Sequence, residues 1–214
     1  MRLSQLTGLD LAITYWGSPY IAHPIASFQF ADAPPVCFSI EVRKEIGESY
    51  SALGGFYRQY ELIYVVADER DVIRLRSDFR KGEDVYLYHL TTPPAKGRER
   101  FLEYIAALND LHTRPRWYNA LTTNCTTAIR MQHAVAARAS WDWRILVNGK
   151  ADEMLYERHA LATGGLSFAE LKKQALIKKA DPSSADQGSD FSRRIRENRA
   201  GFSTLASDTI GNAK

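Results

Sequence analysis

The sequence has no run near the ~18 apolar residues that a membrane-spanning helix requires. Its longest buried-looking stretch, Leu62 to Ala67, is far shorter. Residues 1–10 lack the apolar centre of a secretory signal. Only two cysteines occur, Cys37 and Cys125. Two are too few for a disulfide framework or a four-cysteine zinc site, though enough for one disulfide. No glycine-rich phosphate loop follows a strand, and there is no His-Glu-x-x-His and no close carboxylate pair. Nucleotide binding and a metal site therefore have no support, and no cofactor is expected. Charge of one sign is scarce as well. The 28 basic and 25 acidic residues leave a net charge of +3, too small a surplus to argue for nucleic acid. What remains is ordinary for a folded chain: 214 residues, 45% hydrophobic and 11% aromatic. That composition excludes wholesale disorder and fibres and allows one sizeable core.

The chain divides into a strand-rich half and a helix-rich half. Residues 9–16 and 25–30 read as strands, and Ala31 to Pro35 as the turn between the second strand and the next. Residues 36–43 alternate: Val36, Phe38, Ile40 and Val42 point one way, and Cys37, Ser39, Glu41 and Arg43 the other. Residues 61–66 and 84–90 continue the sheet, while 69–80 are charged and carry no clear period. After Pro93-Pro94 the period becomes helical. Phe101, Ile105, Leu108 and Leu111 mark a helix over 95–112, ended by Pro115. Further helices are expected from about Asn124 to Arg138, over 150–162 and over 167–179. Strands followed by helices predict an α+β domain over residues 1–199, with 200–214 as a disordered tail.

Two positions point to chemistry. Cys125 follows Thr122, Thr123 and Asn124, all good helix caps, and precedes a helical pattern. A cysteine in the first turn of a helix meets the positive end of the helix dipole, which favours the thiolate. The backbone N–H groups there could receive an oxyanion, with Asn124 beside them. The bland reading is a small buried residue at a helix start. His23 opens a strand, and Pro24 keeps its backbone extended. If 23–30 and 36–43 pair as a hairpin around Ala33, His23 lies opposite residue 41 or 43, and either register puts Glu41 on its face. Glu41 could then orient the His23 ring, as a base beside a thiol requires. Failing that, Ser39 on the same face could set it. A solvated charge on an exposed strand is the competing reading of Glu41. Tyr57 and Arg58 could bind an anionic group or an oxyanion, whereas Tyr60 reads as core cover. Tyr118, with Trp117, reads as a cleft wall whose hydroxyl could reach the site. Arg144 is expected to pair with a carboxylate, and Cys37 reads as filler. The other four histidines lack partners at metal-ligand spacing.

The order of these residues, a histidine, a polar residue on the next strand, then Asn-Cys opening a helix, resembles the circularly permuted papain-like (NlpC-type) enzymes. More closely, the chain resembles the Lnb N-terminal periplasmic domain family. The resembling stretches are LDLAITYWGSPYIAHPIASFQF, FSIEVRKEIGESYS, GFYRQYELIYVVADERDVIRLRS, EDVYLYHL, WYNALTTNCTT and WDWRILVNGKADE, within residues 9–195. The resemblance implies a permuted papain-like antiparallel sheet with packed helices, in a bacterial envelope protein anchored upstream of this domain. On that reading the present chain lacks its anchor. The namesake is a lipoprotein intramolecular transacylase, which moves an acyl chain onto the amino group of a lipoprotein's N-terminal cysteine. By position, Cys125 would be the nucleophile and His23 the base.

The expectation is thus a periplasmic cysteine acyltransferase or hydrolase acting through a thioester on a lipid or lipoprotein at the membrane surface. Two rivals stand beside it. One is a cell-wall peptidase or amidase with the same dyad, which would need a polar cleft where an acyl chain needs an apolar one. The other is an inactive envelope binding domain.

Overall fold

The computed structural model describes residues 1–43, 45, 60–119, 125–133, 138, 140–146, 148–179 and 190–202. Five strands form one antiparallel sheet: β1 (Leu6–Trp16), β2 (Ala22–Phe30), β3 (Val36–Arg43), β4 (Glu61–Asp68) and β5 (Glu83–His89). Their spatial order is β4-β3-β2-β1-β5. The fold is α+β, as the run of strands before helices implies. β2 begins three residues earlier than its apolar pattern, so His23 lies within the strand.

The alternation of β3 is reproduced in full across the sheet. One face carries Leu9, Phe28, Phe38 and Ile40, and these pack on helix α1 (Pro94–Thr113) through Phe101 and Tyr104. Proline at the first turn of α1 has no N–H to leave unsatisfied, and the helix stops two residues before Pro115. The Phe28 ring is fully buried and meets Phe38, Phe101 and Tyr104 edge-on at 5.2–5.7 Å between centroids. Edge-on packing sets the positive rim of one ring against the negative face of another. Helix α2 (Cys125–Gln132) joins this layer through Ala128 and Ile129. It is shorter than the expected 124–138. Helices α3 (Ala151–Glu157) and α4 (Phe168–Ala175) cover the same face nearer β5, where Leu11, Ile13 and Tyr88 meet Ala151 and Leu171.

The opposite face is where sequence periodicity fell silent. Residues Arg70–Phe79 form a ten-residue π-helix, and the Arg80 N–H still reaches back five residues to the Leu75 carbonyl. The wider turn lets Val72 and Ile73 bury together with Arg76 and Ser77. A 3.6-residue period does not describe that spacing, so the segment escaped detection. A short helix absent from the sequence reading, α5 (Phe191–Arg194), completes this layer, and packing continues to Phe202, beyond the boundary expected at 199.

An ion-pair network bolts this layer to the sheet. Arg196 donates to Asp10 Oδ2 on β1 from Nε at 2.9 Å and Nη2 at 2.7 Å. It also donates to both carboxylate oxygens of Glu69, the residue that leads into the π-helix. Asp10 and Glu69 are fully buried. Burial disfavours the Glu69 charge, but hydrogen bonding and attraction from Arg196 outweigh it, so its carboxyl sits below the usual range. Arg196→Met is expected to cost about 3–5 kcal/mol at neutral pH, because two buried carboxylates lose their cation. The deficit should shrink as pH falls, since carboxylates deprived of Arg196 can take up protons in the folded state. Urea unfolding at several pH values checks both; a deficit below about 1 kcal/mol would place the network among weak surface pairs.

Candidate functional site

His23 owes its position to the loop before it. The Ala22 N–H donates to the Asn148 side chain at 2.9 Å, and the Gly149 N–H donates to the Tyr20 carbonyl at 3.1 Å. A side chain at 149 would meet the Pro19 carbonyl oxygen at 2.4 Å, so only glycine permits this approach. The segment at 148–149 thereby pins the entrance of β2 just ahead of His23.

The register of the next hairpin brings the partner. Ile25 faces Ser39, Ser27 faces Cys37 and Phe28 faces Val36, which centres the hairpin on Asp32 and not on Ala33. Continued past the last pair, that register sets Glu41 opposite His23 and discards residue 43. The side chains meet: His23 Nε2 is 3.1 Å from Glu41 Oε1. Ser39 joins them, its Oγ at 2.7 Å from His23 Nε2 and 2.6 Å from Glu41 Oε1. The sequence reading held Ser39 only in reserve, yet it contacts both residues.

Arg76 is the participant that sequence reasoning missed. From the π-helix its Nη2 donates to Glu41 Oε1 at 2.6 Å and its Nη1 to Glu83 Oε2, at the start of β5, at 3.2 Å. Its side chain is only 7% exposed. Its one available signal was a basic residue at a four-residue step from Val72, and that signal needs the π-helix to be known. Burial works against the Glu41 charge, but the His23 ring, Arg76 and the Ser39 hydroxyl outweigh it and hold the carboxyl well below the usual carboxylate range.

His23, Glu41 and Arg76 border a cleft of about 480 Å³ at the ends of the strands. Ile21, Val42, Ile63, Val65, Val72 and Leu75 make much of its wall apolar, and Arg80 and Glu83 add charge. The Trp16 ring, also lining the cleft, lies tilted 6.5 Å from His23. Tyr118 borders the same cleft. It is held there because its N–H donates to the Tyr60 carbonyl at 2.8 Å, along the edge of β4. Tyr60 itself is fully buried in the aromatic core. Helix α2 starts at Cys125. Tyr57, Arg58, Asn124 and the Cys125 side chain lie outside the described residues. Cys37 is fully buried and burial pushes its thiol up, which makes it a poor nucleophile. Arg144 pairs with Asp142 at 2.9 Å and Glu157 at 2.7 Å.

The molecule is therefore an α+β domain with a buried histidine paired to a half-buried carboxylate in an apolar-walled cleft. The sequence model of the Lnb N-terminal periplasmic domain matches residues 1–149, and the chain belongs to that family. The match contains His23, Ser39, Glu41, Arg76 and Cys125 but stops short of Arg196. The family's name places the domain in the periplasm. No curated protein and no solved structure matches the chain. Among the described residues, no helix is long and apolar enough to cross a membrane.

Glu41→Gln tests the electrostatics of the site. A carboxyl depressed in the folded state contributes stability that is present above its unfolded value of about 4.3 and is lost as pH falls below it. Wild-type stability should therefore fall from about pH 5 downward more steeply than that of the variant, which has no proton to take up. Acid limbs that coincide in thermal melts would show that Glu41 is not held charged.

Proposed function

We propose that this chain is a cysteine-dependent acyltransferase or hydrolase of permuted papain-like type, acting in the periplasm on a lipid or lipoprotein at the membrane surface. The observation that carries the proposal is His23. It is a buried base with its ring held by Ser39 and Glu41, in an apolar-walled cleft of the sheet on which the Cys125 helix packs. An imidazole so held has already lost the rotational freedom that a loose ring would have to surrender in the transition state.

In this mechanism His23 takes the thiol proton of Cys125, and the thiolate attacks an ester or amide carbonyl. Backbone N–H groups at the start of α2, with Asn124 beside them, hold the developing oxyanion. Tyr118, on the cleft wall, binds substrate beside it, and Tyr57 and Arg58 are assigned the same role from the sequence. Collapse of the tetrahedral adduct breaks the bond to the leaving group, which takes the proton from His23, and a thioester remains. An amine or water then attacks the thioester and returns the thiol. No cofactor enters. The apolar walls of Ile63, Val65, Val72 and Leu75 favour an acyl chain over a peptide, which would need more polar subsites.

Iodoacetamide near neutral pH is expected to alkylate Cys125 rapidly and to leave Cys37 unmodified until the protein unfolds. His23→Ala should remove the enhanced rate, and Glu41→Gln should lower it ~10-fold or more, still less than the ~10⁴-fold loss for a mis-set orienting carboxylate in serine proteases. Cys125→Ala should leave the melting temperature nearly unchanged, because little cavity forms at a helix start. Incubation with envelope extract should yield an acyl adduct on Cys125 whose mass identifies the donor. Faster labelling of Cys37, or a large stability loss in Cys125→Ala, would instead make Cys125 a structural residue.

A further inference from the structure

We propose that Ser39 and Arg76 are positioning residues for His23, which together with Glu41 lock its proton on Nε2 and leave Nδ1 as the basic nitrogen. The argument is one of proton counting. An ionised carboxylate can only accept hydrogen bonds, and a serine hydroxyl has a single proton to give. Ser39 Oγ lies 2.6 Å from Glu41 Oε1, so its proton belongs in that contact. Without it two oxygen lone pairs would face each other at that distance. The hydroxyl oxygen then has only lone pairs to offer His23 Nε2 at 2.7 Å, so Nε2 must carry a hydrogen. In a neutral imidazole the other nitrogen is the acceptor. The direct contact from Nε2 to Glu41 Oε1 at 3.1 Å demands the same tautomer.

Arg76 makes the count secure. It donates to the same carboxylate oxygen at 2.6 Å and opposes protonation of Glu41 there. Its second nitrogen is tied to Glu83, so the guanidinium spans β3 and β5 and resists rotation. The charged groups bordering the cleft with His23 are Glu41 from β3, Asp71, Arg76 and Arg80 from the π-helix and its end, and Glu83 from β5. Of these, Glu41 has contact with the ring, and Arg76 acts through it. Nδ1 is then the nitrogen that takes the thiol proton in the cysteine mechanism. The consequence for catalysis rests on the cysteine mechanism above, whereas the tautomer itself does not.

The test uses the whole chain with ¹⁵N-labelled histidine, the His23 signals being assigned by their loss in His23→Gln. Above the ring's titration, one-bond coupling to a proton is expected at Nε2 and none at Nδ1. A proton on Nδ1 overturns the proposal. In Ser39→Ala, which removes one hydroxyl from a buried position, the Nε2 proton should shift upfield and exchange faster with water. The rate of Cys125 alkylation by iodoacetamide should fall ~10-fold or more, the scale expected when a catalytic group is slightly misplaced. Arg76→Met should do the same, and Arg76→Lys should recover part of the rate by restoring the charge. If the Nε2 proton and the alkylation rate are unchanged in folded Ser39→Ala, the hydroxyl is filler and the proposal falls. Slow alkylation of wild-type Cys125 with the Nε2 proton in place would defeat the cysteine mechanism and leave the tautomer assignment standing. A reactive Cys125 beside an Nδ1-protonated ring would do the reverse.

Discussion

The ion pair between Glu41 and Arg76 joins the sheet to the layer that covers it, at the point where the candidate chemistry lies. A carboxylate at the end of a strand, flanked by apolar side chains, stays charged only if cations and hydroxyls surround it. Arg76 supplies the nearest fixed cation at 2.6 Å, and Ser39 supplies a hydroxyl at the same distance. Without them the penalty of burial would favour a proton on Glu41, and a neutral acid would contest the hydrogen bonds that hold His23. The histidine is ordered by a charged carboxylate, and that carboxylate is held charged by the His23 ring, by the arginine that the π-helix presents and by the Ser39 hydroxyl.

The π-helix is in turn fixed from both ends. At its start Glu69 is gripped by Arg196, which also holds Asp10 in the centre of β1. Further along, Arg76 reaches across to Glu41 and Glu83. Between these anchors Val72 and Ile73 bury against Ala12, Ile25 and Val85. A group of polar side chains keeps its geometry when its supports are themselves locked by packing and hydrogen bonds. Here those supports include a segment beyond the family match, since Arg196 lies outside residues 1–149. The family-wide part of the chain carries the candidate chemistry, and residues near 196 supply part of its foundation.

The two faces of the sheet have separate work. The aromatic face, built on Phe28, Phe38, Phe101 and Tyr104, is dry and supports the helix that begins at Cys125. The other face carries Asp10, His23, Ser27, Ser39 and Glu69, all buried, and the cleft opens where the strands end. Placing titratable groups at strand ends lets them border an open cleft while their strands remain paired. It also spares the core an unpaired charge, the costliest defect a buried site can introduce.

The strands and the faces of their residues could be read from the sequence, because a two-residue period is a local property of the chain. The alternation from Val36 to Arg43 needs no knowledge of what packs on either side. It placed Ser39 and Glu41 on one face, and Pro24 marked His23 as extended. The resemblance pointed to the family through the same residues. The choice between residue 41 and residue 43 lay beyond it, because register depends on where the turn closes, and Ala31 to Pro35 allow more than one closure. Arg76 was hidden for another reason: its segment follows a π period that mimics neither helix nor strand. Its contact with Glu41 spans 35 positions, and that of Arg196 with Asp10 spans 186. Such contacts leave no trace in local pattern, since any charged residue at a helical step reads as a solvated surface. The sequence by itself determined which side chains share a face of each strand. Only the tertiary structure decided which distant cations would hold the buried carboxylates charged, because that choice follows from the packing of whole layers.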